Sequence, residues 1–328
     1  MSDSYFTPRD ASSPAAGLPE AAPLTLGTMN FGKRTPEADA RRIMARAVDA
    51  GIELFDTANV YSDGTSERIV GAFLRGRTGI DVATKVGLGR LAGRSEGLSR
   101  ARIVAACDES LGRLGIDTIA LYYLHAPDAD TPMEDTLAGI ADLLERGRIR
   151  RWGVSNFASW QILELRALAS AAGLPPPAVA QQLYNVLVRQ LDVEYFAYAR
   201  RHPIHTTVYN PLAGGLLAGA RHFEQAPPKG SRFDVNALYR RRYWQRALFA
   251  AVDDLRGIAA DAGLSLLELA YTFVARHPGV DSVLVGPGSV AHLDDAIAAR
   301  EKPLDPETRR RVDAVYVNLV GTDARYAR

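Results

Sequence analysis

The sequence predicts an α/β protein, a (β/α)8 barrel of the TIM type with a long insertion after its seventh strand and a C-terminal helix plus tail. Three observations carry that prediction. Short apolar runs alternate with amphipathic helical segments eight times after residue 22. The 328 residues exceed the roughly 250 such a barrel needs, and 47% apolar residues suffice for a large core. Polar residues capable of acid–base chemistry stand at or just past several of the apolar runs, where parallel strands would open onto one face.

The elements follow in order. Residues 24–27 are the first strand. Their helix, 37–50, has Pro36 at its start and Gly51 as its stop. Residues 52–55 are the second strand, with a helix over 67–74. The third strand is 80–84, and its helix, 99–114, has a serine N-cap and the stop Gly115. Strand and helix of the fourth unit are 119–124 and 133–146, and of the fifth 151–154 and 158–172. The sixth is 179–183 with a helix from about 192 to 201. Residues 204–209 are the seventh strand, 282–285 the eighth, and 292–299 a short helix behind it. Between the seventh strand and a helix at 264–276 the rhythm breaks. This insertion holds a Pro/Gly-rich stretch, 226–231, and an arginine-rich helix around 239–246; connections this long are often functional. The tail after Pro303 reads as helical through Leu319.

Residues 1–22, rich in Ser, Ala and Pro, read as a loosely ordered arm with no barrel role, and 23–328 as one domain. A formal charge of +1 gives no reason to expect nucleic acid or an anionic membrane. No stretch approaches the roughly 20 apolar residues of a membrane span. The N-terminus carries Asp3 and Arg9 and no apolar core, so a signal peptide is not expected and a cytoplasmic, reducing compartment is. The single cysteine, Cys107, lies on the apolar side of a helical pattern and reads as an inert core thiol. No metal is expected.

Asp56, Tyr61, Lys85 and His125 each end or follow an apolar run. In one barrel they converge on one pocket. Carbonyl reduction needs a proton delivered to the oxygen as hydride reaches the carbon, and a free tyrosine, with a pKa near ~10, is a reluctant acid. An adjacent Lys85 cation would lower that pKa, Asp56 would hold Lys85 charged, and His125 could donate a hydrogen bond to the developing oxyanion. Tyr61 is then the proton donor. Taken singly, an Asp–Lys pair can be a plain salt bridge and a strand-end histidine a core residue.

A series of motifs resembles the aldo-keto reductases. In order they are Leu26-Gly27-Thr28-Met29, Asp56-Thr57-Ala58-Asn59-Val60-Tyr61, Gly64-Thr65-Ser66-Glu67, Ala83-Thr84-Lys85, Leu124-His125-Ala126-Pro127-Asp128, Gly153-Val154-Ser155-Asn156-Phe157, Gln181-Gln182-Leu183-Tyr184-Asn185 and Tyr209-Asn210-Pro211-Leu212. Asn156-Phe157-Ala158-Ser159-Trp160, Tyr239-Arg240-Arg241-Arg242-Tyr243-Trp244 and the closing Arg325-Tyr326-Ala327-Arg328 are similar to the aflatoxin-aldehyde and succinic-semialdehyde reductase branch. The resemblance implies NADPH as cofactor, with NADH as the alternative. It also implies contacts from Thr28, Met29 and Asp56, from Ser155, Asn156 and Gln181 to the nicotinamide carboxamide, and from Tyr209 to its ring. Asn210, Leu212 and Gly214 fall on the pyrophosphate loop, and Gly288, Ser289 and His292 on the adenosine loop. That last loop departs from the family. Many relatives carry a basic residue at Gly288, Gln at His292 and Asn at Ala296; Ser289, the start of the helix behind it, Arg221 or Lys229 would have to hold the phosphate instead. Arg232 and Arg328 match arginines that meet acidic substrates in that branch.

The expectation is therefore NAD(P)H-dependent reduction of an aldehyde or ketone by a monomer or homodimer whose partner is a small carbonyl compound. The alternatives are a cofactor-binding regulatory subunit, as some barrels of this superfamily are, and a biosynthetic tailoring enzyme with weak or no redox turnover.

Overall fold

A computed structural model describes residues 3–9, 20–91, 93–219 and 222–321. Eight parallel strands close into a barrel. In chain order the strands are β1 (Leu24–Gly27), β2 (Leu54–Asp56), β3 (Asp81–Val86), a two-stranded hairpin of β4 (Arg90–Leu91) and β5 (Arg94–Ser95), then β6 (Ile119–Leu124), β7 (Ile149–Ser155), β8 (Val179–Leu183), β9 (His205–Tyr209) and β10 (Ser282–Val285). The ring runs β1, β2, β3, β6, β7, β8, β9, β10 and back to β1, with Leu26 paired to Val285 at the closure. The hairpin stands outside the ring.

Both faces of this sheet are buried, as an all-parallel sheet requires. Outward-facing residues such as Phe55, Val82, Tyr122, Val154 and Val208 pack under the surrounding helices. Inward-facing Leu54, Ala83, Leu121, Tyr123 and Val179 form a second cluster inside the barrel. The 2-residue period of a strand sorts them.

Strand and helix positions agree with the sequence reading to within a few residues. β7 begins earlier than expected, at Ile149, and β2 and β3 reach one and two residues further, to Asp56 and Val86. Three features escaped that reading. The hairpin after β3 is one. Another is the helix Arg246–Asp261, which fills the second half of the insertion after the shorter helices Arg232–Val235 and Ala237–Tyr243. The third corrects the expectation of an arm with no barrel role. Phe6 joins the inner cluster, the hydroxyls of Tyr5 and Thr25 lie 2.6 Å apart, and the backbone N–H of Arg9 donates to Asp281 at 2.6 Å. Tyr5 also stacks on the buried His205. These residues close the floor of the barrel, Phe6 filling its apolar side and Tyr5 meeting the buried polar groups Thr25 and His205.

Candidate active site

Strand parity decides what reaches the open face. Two residues beyond Leu54, Ala83, Tyr123 and Val179, the same inward direction carries Asp56, Lys85, His125 and Gln181. Lys85 Nζ donates to one carboxylate oxygen of Asp56 and, at 2.7 Å, to the carbonyl of Thr57. Gln181 Nε2 donates to the other Asp56 oxygen at 2.9 Å. Both ionic groups are buried. Burial raises the Asp56 carboxyl and lowers the Lys85 ammonium, and each partner's charge opposes the other's shift. Truncating either would strand a buried charge, a costly change.

Tyr61 begins a tight turn, Tyr61–Gly64, in which Ser62 and Asp63 adopt φ values of 50° and 51°. Lys85 Nζ lies 5.2 Å from the Tyr61 ring centroid, and the His125 ring meets Tyr61 edge-on with centroids 5.8 Å apart. The structure thus brings together the four residues singled out from sequence. One detail is corrected. Lys85 was expected to pull the Tyr61 pKa down, yet burial first, then Asp56, Tyr239 and Tyr209, hold it well above the ordinary phenol value, with Arg232 opposing. The charge of Lys85, paired with Asp56, does not overcome the cost of burying a phenolate. Tyr61 is therefore protonated at neutral pH. His125 is held well below its usual value, by burial and then by Lys85, so its imidazole is neutral. Its Nδ1 is buried without a hydrogen-bond partner among the described residues.

Around this centre lie the residues expected to meet a cofactor. Asn156, at φ 63°, donates from Nδ2 to the His125 carbonyl (3.0 Å) and to Ser155 Oγ (3.1 Å), and accepts from the Tyr209 hydroxyl at 2.6 Å. Asn tolerates this left-handed backbone better than most residues. Thr28 turns its hydroxyl inward, onto the Asp56 carbonyl and Ser66 Oγ, while neighbouring Met29 is 39% exposed. After β9, Asn210, Ala213, Gly214 and Gly215 all have positive φ, and Asn210 Oδ1 accepts from the Gly214 N–H at 2.7 Å. Such a chain of left-handed residues makes a backbone concavity suited to phosphate oxygens. Gly214 is required twice over: its φ is +71°, and a Cβ there would lie 2.7 Å from the Tyr239 ring. Leu212 caps the same turn. On the far loop, Ser289 caps the helix Val290–Glu301 by accepting from the His292 N–H, and a Cβ on Gly288 would meet the His292 ring at 3.5 Å. Ala296 is fully buried in the core and offers no polar contact. The backbone concavity after β9 and the polar groups of Asn156 and Tyr209 are chemistry that fits a dinucleotide.

Arg232 is no solvated loop residue. Its guanidinium donates to the Tyr239 hydroxyl at 2.9 Å, lies 5.3 Å from that ring's centroid and approaches Gly286 at the end of β10. Arg328 and Arg221 lie outside the described residues, and Lys229 is exposed. Sequence reasoning missed Arg242, whose charge opposes the rise in the Tyr209 pKa; burial nevertheless pushes that phenol up to about 12. It also missed Tyr243, whose hydroxyl accepts from Asn210 Nδ2 at 2.7 Å and from the buried Asn185 at 3.3 Å. The signal available was the spacing of Tyr239, Arg242 and Tyr243 on one turn of a helix in an insertion at the catalytic face.

Comparison with known proteins defines the class. Residues 23–317 match the Aldo/keto reductase family, and the chain belongs to it. Among curated relatives it is 34% identical over 297 residues to aflatoxin B1 aldehyde reductase member 2 of Homo sapiens, covering 86% of this chain and 82% of that one. It is 32% identical over 283 residues to a probable voltage-gated potassium channel subunit beta of Arabidopsis thaliana, covering 83% and 84%. A solved glycerol dehydrogenase from Gluconobacter oxydans superposes with a TM-score of 0.76 at 28% identity, over 93% of this chain and 94% of that one. The family is one of carbonyl oxidoreductases, and this chain is an oxidoreductase of that kind. Among the described residues, no single helix is long and apolar enough to cross a membrane.

Proposed function

We propose that the chain reduces an aldehyde or ketone to an alcohol with NADPH, using Tyr61 as the general acid. The observation that carries this reading is the convergence of a protonated Tyr61, a neutral His125 and a Lys85 fixed by Asp56 at one end of the barrel. A bound nicotinamide cofactor supplies the hydride. Tyr61 and His125 hold the substrate oxygen between two hydrogen bonds, and neither donor needs to reorganise as negative charge builds there. Tyr61 gives its proton to that oxygen as the carbon is reduced. The tyrosinate left behind is stabilised by the nearby Lys85 until a proton returns from solvent. Asn156 fixes the backbone of His125 and the hydroxyl of Tyr209 at once, so the ring beside the substrate and the donor above it share one anchor.

Arg232 favours a substrate with a carboxylate near its carbonyl, such as succinic semialdehyde, because a guanidinium fork matches a carboxylate. An aldehyde agrees with the names of the aldehyde reductases among the relatives. The experiment is Tyr61→Phe. Turnover of NADPH with an aldehyde panel falls by a factor on the order of 10² or more while NADPH binding, followed by fluorescence, changes little. A mutant that turns over like the wild type would remove Tyr61 from the mechanism.

A further inference from the structure

Glu96 is the carboxylate at the end of the β4–β5 hairpin, 8% exposed and absent from the chemistry described so far. Its Oε1 accepts from the backbone N–H of Gly87 at 2.8 Å and of Gly89 at 2.7 Å. Oε2 accepts from Asn59 Nδ2 at 3.0 Å and from Arg102 Nε at 3.1 Å. Asn59 stands two residues before Tyr61, and its own N–H donates to the Lys85 carbonyl at 3.2 Å. Gly87 stands two residues after Lys85. One buried carboxylate therefore ties the loop that carries the acid to the strand end that carries the lysine. The fit is reciprocal. Gly89 has an ordinary φ but no room for a side chain, since a Cβ there would lie 2.7 Å from the Glu96 carboxylate. The hairpin delivers Glu96 to this cradle, with the Glu96 N–H donating back to the Gly89 carbonyl at 2.9 Å.

We propose that Glu96 is a positioning residue for the reaction, setting the separation of Tyr61 and Lys85 by bridging Asn59 to Gly87 and Gly89. The inference rests on the roles given above to Tyr61 and Lys85. Carboxylate chemistry is what the site requires, because four N–H donors point at one group and a neutral amide would turn its own donors against Asn59 and Arg102. A small displacement of the acid costs much in rate, so the bridge acts through geometry.

The test is a donor–acceptor exchange in the full-length protein. Glu96→Gln keeps the acceptor for the two glycines and breaks the link to Asn59. Asn59→Asp alone sets two carboxylates against each other. Each single variant is expected to lose kcat on the order of 10- to 100-fold with an unchanged dissociation constant for NADPH. The pair Glu96→Gln with Asn59→Asp re-forms the link with the polarity reversed while Arg102 keeps its bonds to Glu109, and recovers kcat to within about three-fold of wild type. A second readout needs no turnover. The 13Cζ resonance of Tyr61, assigned by its loss in Tyr61→Phe, shifts in each single variant and returns in the pair. Single variants with wild-type kcat and a wild-type Tyr61 signal overturn the proposal. So does a folded double variant, judged by its thermal melt, that recovers neither. Should Tyr61→Phe prove active, the catalytic reading fails by itself, and the bridge stands or falls on the resonance alone.

Discussion

Arg232 shows how much a single side chain can decide. Held against Tyr239 and Gly286, and close enough to oppose the rise in the Tyr61 pKa, it points one cation at the reacting end of the barrel. Arg232→Leu is expected to raise KM for succinic semialdehyde about ten-fold and leave that for butanal nearly unchanged. The two substrates control for each other, since general damage would raise both; equal effects would reduce Arg232 to a wall of the pocket. At this scale the sequence was legible where chemistry coincides with a strand end. Asp56, Lys85 and His125 sit on the inward parity of short strands, and both position and direction follow from the apolar pattern. Glu96 was not legible. Its partners are backbone N–H groups and side chains on other elements, and neither leaves a periodic trace. The sign of the Tyr61 shift was also out of reach, because it is set first by burial, which only the folded pocket determines.

The elements of the ring were readable for a related reason: each strand is a short apolar run bounded by glycine, proline or a helix cap. The N-terminal segment was misread because Ser, Ala and Pro dominate its composition, while its contribution comes from two aromatic residues that only a finished barrel can bury. Phe6 is 7% exposed and sits among Leu54, Ala83, Leu121, Tyr123 and Val179. Truncating it leaves a cavity at the floor, so Phe6→Ala is expected to destabilise the protein by about 3 kcal/mol in urea unfolding. The kcat should change little, since the catalytic face is at the opposite end. A variant as stable as the wild type would mean that the floor collapses over the gap or that the segment is dispensable. The helix Arg246–Asp261 escaped notice because an insertion carries no expectation of a further barrel unit.

Across the whole molecule, buried histidines couple the fold to pH. His205 and His277 are both lowered to about 3, in each case first by burial; then Arg9 acts on His205, and Arg309, Arg189 and Arg200 on His277. His205 lies beneath Tyr5, with Nε2 at 2.9 Å from Ser282 Oγ and Nδ1 without a partner among the described residues. Their folded values lie below the unfolded one, near ~6.5, so the unfolded chain binds more protons as pH falls below that point. The stability of neutral burial is complete above pH ~6.5 and is lost on acidification, by about 1.4 kcal/mol per pH unit for each group. Unfolding free energies should therefore fall between pH ~6.5 and ~5, above the carboxylate range, and His205→Gln should flatten the slope by about one group's share. A flat wild-type profile would contradict the burial of these rings. The same floor has a consequence for synthesis. Arg9 bonds to Asp281, a partner 272 positions away, and Tyr5 waits for His205. Contacts of such sequence separation form late and slowly. Residues 3–9 thus have nowhere to dock until the last strand, β10, has been translated. Until then the rings of Tyr5 and Phe6 travel uncovered, and the barrel floor closes only when synthesis of the ring is done.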